Sequence, residues 1–359
     1  MELSRQSDSR PWVRLSALPV VVESYEFERR SAHLAYGVER VTTRIRLLGG
    51  GAEGLGEDVS PFVDEHDSLH VCPPTLPLAG HWDLGALCDH MAQLDQWPVP
   101  PRWDSTRRWR RWAFEAAALD LALNQAGCAL HEFIDREPGP VHFVNSLGLG
   151  EPPTFDPIRR RLELHLDLRF KLDATADWTP ELIDQLAATG AVEIIDFKGH
   201  YGPEVREVPA LISVYKGVVE AFPNTLLLED PHDLPEVAAL LKSEEHRISY
   251  DAPIRSVRDL DATPFEPEAI NVKPCRVGDL RSLLDLYDAC DARELATYGG
   301  GMEELDVGRG QIQLLASLFH PDMPNDVAPS GYNADVLAPH LPRSPLAPNP
   351  APTGFQRGP

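Results

Sequence analysis

"TLLLEDPHD", residues 225–233, is the stretch that decides the fold. Thr225 to Leu228 reads as a buried strand of a parallel sheet, a short apolar run bounded by polar residues. It stops at Glu229 and Asp230, with Pro231 next. One strand ending in carboxylates is ordinary, because strands stop where polar residues begin. Several neighbouring strands ending the same way carry chemistry.

The same unit recurs on both sides. Upstream, "VHFVNSLGLG" (141–150), "LRFKLD" (168–173) and "VEIIDFKG" (192–199) read as strands. Downstream, "RISYDAPI" (247–254), "AINVKPC" (269–275) and "ELATYGGG" (294–301) do so. Helical signals lie between them. Thr179 and Pro180 open one helix and Gly190 closes it. Leu211, Val214, Tyr215, Val218, Val219 and Phe222 form a stripe at helical spacing. Asp233 is placed to cap a helix bearing Val237, Leu240 and Leu241, and Ser256 a short one. Leu280, Leu283, Leu284 and Tyr287 mark another helix, and residues 307–319 a last one. Seven strand–helix units in a row imply a parallel sheet with right-handed crossovers. Their number and length favour a closed barrel over an open doubly wound sheet.

The first third reads differently. "LPVVVESYEFER" (18–29), "RVTTRIRLL" (40–48) and "GLGEDVS" (54–60) suggest antiparallel sheet, followed by helices over 84–96 and 106–127. Gly49, Gly51 and Gly54 have GxGxxG spacing, but another short strand follows them. A dinucleotide loop needs a helix there, so these glycines are expected to make a hairpin turn.

The chain has 359 residues and a formal charge of −23. That balance disfavours nucleic acid, whose binding rests on Lys and Arg, and anionic membranes. The basic run "RRWRRW" (107–112) is read as a solvated helix start. No apolar run is long enough to span a bilayer, and "MELSRQSDSRPW" lacks a signal-peptide core. A cytoplasmic location is expected. The five cysteines, Cys72, Cys88, Cys128, Cys275 and Cys290, are far apart and fit reduced thiols. The proline-rich tail after Pro339 is expected to be extended.

Laid side by side, the strand ends carry Arg169 and Lys171, then Asp196 and Lys198, then Glu229, Asp251 and Lys273. Successive positions are about one strand–helix unit apart. In a barrel all these ends converge on one mouth. Three crowded carboxylates repel by about 4 kcal/mol per pair at ~4 Å. A hard divalent cation removes that cost, and an all-oxygen set suits Mg²⁺, with Mn²⁺ as a substitute. Lysines beside other cations can titrate low enough to act as bases, and Arg169 is expected to act on Lys171 in that sense. Lys171 and Lys273 are expected on opposite faces of a bound substrate. That suits removal of a proton α to a carboxylate, with the metal stabilising the enediolate.

This constellation resembles the enolase superfamily, and "AINVKPCRVGDL" (269–280) is similar to its sixth-strand pattern. The resemblance implies a modified (β/α)7β TIM-type barrel over 136–333. It also implies an N-terminal α+β capping domain over 1–135, joined by the segment 334–359. It implies Asp196, Glu229 and Asp251 as metal ligands and Lys171 and Lys273 as the acid/base pair. The lysine pair is similar to the muconate-lactonizing and o-succinylbenzoate synthase branch; "ATYGGGMEE" (296–304) has no histidine base of the mandelate racemase kind. The reaction could be racemisation or epimerisation, cycloisomerisation, or syn elimination on a small-molecule carboxylate. A metal- and carboxylate-binding barrel without turnover, a sensor or relic, is the alternative.

Arg169 stands where the family's Lys-x-Lys has its first lysine, and Lys198 where an Asn is common. Lys198 is expected to pair with a substrate carboxylate or with Asp230. Candidate pocket residues are Arg169, Lys198, Asn271, Tyr298, Gly300, Asn325 and Asp326. His200, Tyr201 and His232 follow the third and fourth strands and could line the pocket, but read rather as loop residues. "HLAYGVERVTT" (33–43) is expected to fold over the mouth. Barrels of this size often self-associate, so a homo-oligomer is compatible.

Overall fold

A computed structural model describes residues 10–34, 39–201 and 210–358. The amino-terminal part is an α+β unit. Strands β1 (Pro19–Val22), β2 (Ser24–His33), β3 (Glu39–Gly49), β4 (Ala52–Asp58) and β5 (Gly80–Asp83) form two antiparallel sheets, β1–β5 and β2–β3–β4. The β3–β4 hairpin turns at Gly50 and Gly51, both at positive φ, so the glycine-rich stretch is a hairpin as its sequence context demands. Gly54 and Gly56 serve another need. A Cβ on either would overlap backbone of the helix Thr106–Ala126 at Ala117 or Ala113. The sheet and this helix touch main chain to side-chain-free main chain, and Gly127 ends the helix in the left-handed conformation.

The basic run at the start of that helix departs from expectation. Arg107 and Arg108 lie near the surface, but Arg110 is fully buried, bonded to Asp58 at 2.7 Å and stacked on Trp97 at 3.4 Å. Burial pushes the Asp58 carboxyl up, and Arg110 with His66 more than reverses this.

The remainder is a seven-stranded parallel sheet in sequential order. Its strands are β6 (Asn145–Leu147), β7 (Phe170–Asp173), β8 (Val192–Asp196), β9 (Leu227–Glu229), β10 (Ile248–Tyr250), β11 (Ala269–Val272) and β12 (Ala296–Gly299). Residues 325–326 act as an abbreviated eighth strand. Asn325 bridges in parallel to Phe143, just before β6, and Asp326 bridges to Gly300, just after β12. The sheet thus curls into a barrel, and the open-sheet alternative falls away. Val144, Ile194, Leu227, Ala269 and Tyr298 form a dry plug inside it.

Crossover helices follow most of the strands. Thr179 caps Pro180–Ala188 through a bond from the Leu182 amide, as expected. Asp233 does not cap Pro235–Leu241; Leu234 takes the N-cap position, with no side-chain cap bond. Ser256 is the N-cap of the 3₁₀ turn Val257–Asp261 without a side-chain cap bond. The last helix is Val307–Phe319.

The two parts are joined by buried polar contacts. Glu57, on β4, accepts amide hydrogens from Leu305 at 2.7 Å and Gly308 at 2.9 Å, at the start of Val307–Phe319. The Arg40 guanidinium ties Val59 and Ser60 carbonyls to that of Met302 at 2.6, 2.8 and 2.9 Å. The carboxy-terminal tail is packed: Phe355 is buried edge-on to Trp112, and its amide donates to Asp120 at 2.6 Å. All five cysteines are free. Among the described residues no helix is long and apolar enough to cross a membrane.

Candidate active site

Strands β7 to β11 each deliver one or two polar side chains to the carboxyl-terminal mouth. Asp196 and Glu229 are the last residues of β8 and β9, and Asp251 directly follows β10. All three are fully buried, and one carboxylate oxygen from each lies within 4.8 Å of the others. Period-2 geometry explains the convergence, since inward positions alternate along each strand. The donor set is three carboxylates and no sulfur or imidazole, which fits a hard divalent cation.

The cations sit where the strand ends place them. Lys171 Nζ bonds Glu229, lies 3.4 Å from Asp196 Oδ2 and 3.8 Å from Asp326 Oδ2. Lys273 follows β11 and donates to Asp251 Oδ2 at 2.9 Å. The two lysines thus grip opposite members of the acid cluster. Burial pushes the Lys171 ammonium down, but Glu229, Asp196, Asp251 and Asp326 raise it well above its ordinary value. This reverses the lowering expected from Arg169. That arginine precedes β7, bonds the Asp167 and Leu168 carbonyls and faces Glu193 at 3.7 Å, off the mouth. Burial raises Asp230 to about 7, with Asp196 and Asp251 adding to the effect. Asp251 is held low despite burial, because Arg276 and Lys273 flank it.

The lysines that bond these acids open onto a cavity of about 330 Å³ between barrel and cap. Its wall includes Lys171, Lys198, Lys273 and Asp326 from the barrel, and Glu39, Arg40 and Val59 from the cap. Part of the 33–43 stretch therefore does border the mouth, while residues 35–38 lie outside the described residues. A wider cleft of about 650 Å³, lined by Glu245, Asp261, Glu268 and Arg293 among others, lies at the amino-terminal ends of β11 and β12. The acid cluster is not part of it.

The remaining candidates divide. Lys198 is on the cavity wall, but it bonds Asp196 Oδ2 at 2.5 Å and Asp173 at 3.0 Å. Its expected pairing with Asp230 is not made, because Asp230 accepts the Asp251 and Ala252 amides instead. Asn325 is held in the barrel seam: Oδ1 takes the Gly299 amide at 2.6 Å, and Nδ2 donates to the His142 and His320 carbonyls at 2.9 Å. Tyr298 lies beneath the site, its hydroxyl bonded to Glu229 and to Ser249. Asn271 and Gly300 are buried beside Lys273, behind the wall rather than on it.

Sequence reading missed two members, Asp173 and Arg276, and set a third, Tyr201, aside as a loop residue. Asp173 shares the inward parity of Lys171, so strand alternation alone points to it. Arg276 sits three residues beyond Lys273 on the short helix Pro274–Val277, so one helical turn returns it to Asp251, which it bonds. Tyr201 reaches Asp251 at 3.3 Å and lines the cavity. Lys198 adopts a positive φ between strand and tyrosine, a turn that the position after the third strand did not specify.

Comparison with known proteins accords with this geometry. The chain matches the domain of unknown function (DUF8230) N-terminal domain over residues 13–133 and its C-terminal domain over 137–334. The chain belongs to the DUF8230 family, within the enolase superfamily. Within that superfamily it is 35% identical to the o-succinylbenzoate synthase of Bacillus subtilis (strain 168) over 125 residues, 33% of this chain and 34% of that protein. It is 32% identical to an N-succinylamino acid racemase of Amycolatopsis sp over 123 residues, 32% of this chain and 33% of that protein. These alignments span about a third of the relatives' length. A dipeptide epimerase from Methylococcus capsulatus, solved with Mg and the dipeptide L-Arg-D-Lys, shares the fold. Its TM-score is 0.66 at 18% identity, covering 87% of this chain and 92% of that one.

Proposed function

We propose that this protein is a divalent-metal-dependent enzyme that removes and returns a proton α to the carboxylate of a small molecule. The observation that carries the reading is the buried triad Asp196–Glu229–Asp251 with Lys171 and Lys273 attached to different members of it. The three carboxylates would hold Mg²⁺, or Mn²⁺ in its place. When bound, that ion supplies Lewis-acid charge to the substrate carboxylate, which makes the α-proton easier to remove.

The chain's own residues then have separable tasks. Lys171, on β7, and Lys273, after β11, approach the cavity from strands on either side of β9. One takes the α-proton from one face, and the other supplies a proton, or a fixed positive charge, on the opposite face. With Asp196, Glu229 and Asp251 engaged as ligands, their pull on the Lys171 ammonium would weaken, which would bring that amine toward basic use. Tyr298 and Ser249 fix Glu229 from below. The dry plug excludes water beneath the acids, so their electrostatic interactions are strong. The cap wall, with Glu39, Arg40 and Val59, stands over the reacting centre and is where substrate choice is made. We assign residues 1–135 with 334–359 to the cap and 136–333 to the barrel.

Racemisation, epimerisation, cycloisomerisation and syn elimination all use this arrangement. The relatives are named for more than one of these, so the reaction is set by the substrate the cap admits. Calorimetric titration of Mg²⁺ and Mn²⁺ tests the metal site. One tight site per chain is expected, weakened on the order of 10²-fold or more in Glu229→Gln, because a ligand charge is lost. Equal affinity in the variant would reject this site.

A further inference from the structure

Asn271 is fully buried, and among the described residues neither its amide nitrogen nor its carbonyl oxygen has a hydrogen-bond partner. Such a side chain is unusual, since a buried carboxamide without partners costs several kcal/mol. It is not a stray core polar group. On β11 the inward positions are Ala269, in the dry plug, then Asn271, then Lys273 at the mouth. Asn271 lies in register with Tyr298 of β12. It therefore sits one pleat below Lys273 and, like Tyr298, beneath the mouth.

Gly300 shows what the carboxamide faces. A Cβ at Gly300 would lie 2.5 Å from Asn271 Oδ1, 2.5 Å from Lys273 Cε and 3.0 Å from Lys273 Cγ. The amide oxygen and the lysine arm thus converge on the space that Gly300 leaves free. Any other residue at position 300 would fill it. Lys273 here donates to Asp251 Oδ2, and Arg276 bonds the other oxygen of the same carboxylate. Asp251 is also a candidate metal ligand, so a carboxylate shared with a cation has less to offer an ammonium.

We propose that Asn271 is a positioning residue for Lys273: its Oδ1 accepts a hydrogen bond from Lys273 Nζ when Asp251 is engaged elsewhere, and Gly300 keeps the path between them open. A neutral acceptor suits this task. It orients Nζ toward the cavity without fixing the positive charge there, as a carboxylate would. Asn271 is absent from the cavity wall, so it acts through Lys273 and does not touch substrate. The inference rests on the acid/base role proposed above for Lys273.

Two measurements test it. In a crystal structure of the magnesium-loaded protein, Asn271 Oδ1 is expected within ordinary hydrogen-bond distance of Lys273 Nζ, about 2.7–3.2 Å. An Asn271 side chain bonded instead to the ion, or to water alone, overturns the proposal. The second is α-proton exchange in D₂O on paired L and D antipodes of N-succinyl-phenylalanine and of Ala-Phe dipeptides, for wild type, Asn271→Leu, Lys273→Ala and Lys171→Ala. Asn271→Leu should reproduce the Lys273→Ala preference. It should lose exchange on the same antipode by on the order of 10²-fold, the cost of a misplaced catalytic group, with little change on the other. It should melt no lower than wild type, because an apolar isostere replaces an unpaired polar group. Equal loss on both antipodes, or a lowered melting temperature that accounts for the loss, means a structural role and overturns the proposal. Wild-type silence on every compound would count against the enzymatic reading instead, and the crystal structure would still decide the Asn271–Lys273 bond.

Discussion

Lys198 illustrates how much one side chain changes in this site. Its amide donates to Asp196 Oδ1 at 2.9 Å and its ammonium to Oδ2 at 2.5 Å, so both oxygens of a candidate metal ligand are engaged by one residue. Asp173, 3.0 Å from the same Nζ, is the second seat onto which the ammonium can move when Asp196 binds a cation. The positive φ at Lys198 costs on the order of 1 kcal/mol for a non-glycine residue, and the two carboxylates hold the side chain across that strain. Removing the ammonium removes a competitor and a like charge. Lys198→Ala is therefore expected to bind Mg²⁺ about tenfold tighter or more, a modest part of the Coulomb energy at this distance. Calorimetric titration checks this, and unchanged or weaker affinity would show that Lys198 does not oppose the ion. At this scale the acids and both lysines were legible, because strand ends in consecutive units announce themselves. Asp173 was legible by parity and was passed over. Tyr201 was within view as a residue after the third strand and was set aside, since its placement depends on a backbone angle.

At the scale of elements, the barrel seam carries the clearest linkage. His320, at the end of the last helix, sends Nδ1 to Asn325 Oδ1 at 2.6 Å, and Nε2 accepts from the Tyr287 hydroxyl at 3.1 Å. Burial lowers its pKa to about 4, only partly countered by the bond to Asn325. The folded protein therefore keeps His320 neutral where the unfolded chain, titrating near 6.5, takes up a proton. The sign follows: this contribution is complete above pH ~6.5 and is lost as pH falls toward 4, up to about 3 kcal/mol. Urea unfolding at a series of pH values should show a slope in that window that His320→Gln flattens. A variant with the same slope as wild type would remove His320 from the account. Asn325 had been read as a pocket residue because it stands where an eighth strand must end. The position was right for the chain and wrong for the side chain, since closing a barrel with only a two-residue strand needs a polar side chain to replace ladder bonds. Gly54 and Gly56 carry a similar lesson. Gly54 completes a spacing that imitates a nucleotide loop, yet what it and Gly56 satisfy is the close approach of the helix Thr106–Ala126, a tertiary fact invisible to local pattern.

For the whole molecule, two folding units share one site. The barrel supplies the acids and lysines, and the cap supplies part of the wall. Glu57 makes that union specific: one buried carboxylate, bonded by Thr42 at 2.7 Å, caps a barrel helix from the cap sheet. The barrel was readable because each strand–helix unit restates the same pattern seven times. The cap's orientation was not, because it depends on contacts such as Arg40 to Met302 that join residues 262 positions apart. Substrate choice is likewise a property of the joined surfaces and has no local code. The central claim, that this assembled mouth moves an α-proton, is tested most directly by proton NMR in D₂O with Mg²⁺ across N-acyl amino acids, dipeptides and sugar acids. The account predicts loss of the α-proton signal on at least one compound class, abolished by EDTA and by Lys171→Ala with Lys273→Ala. Mg²⁺-dependent binding of those carboxylates with no exchange at all would contradict it, and would leave a barrel that binds without turning over.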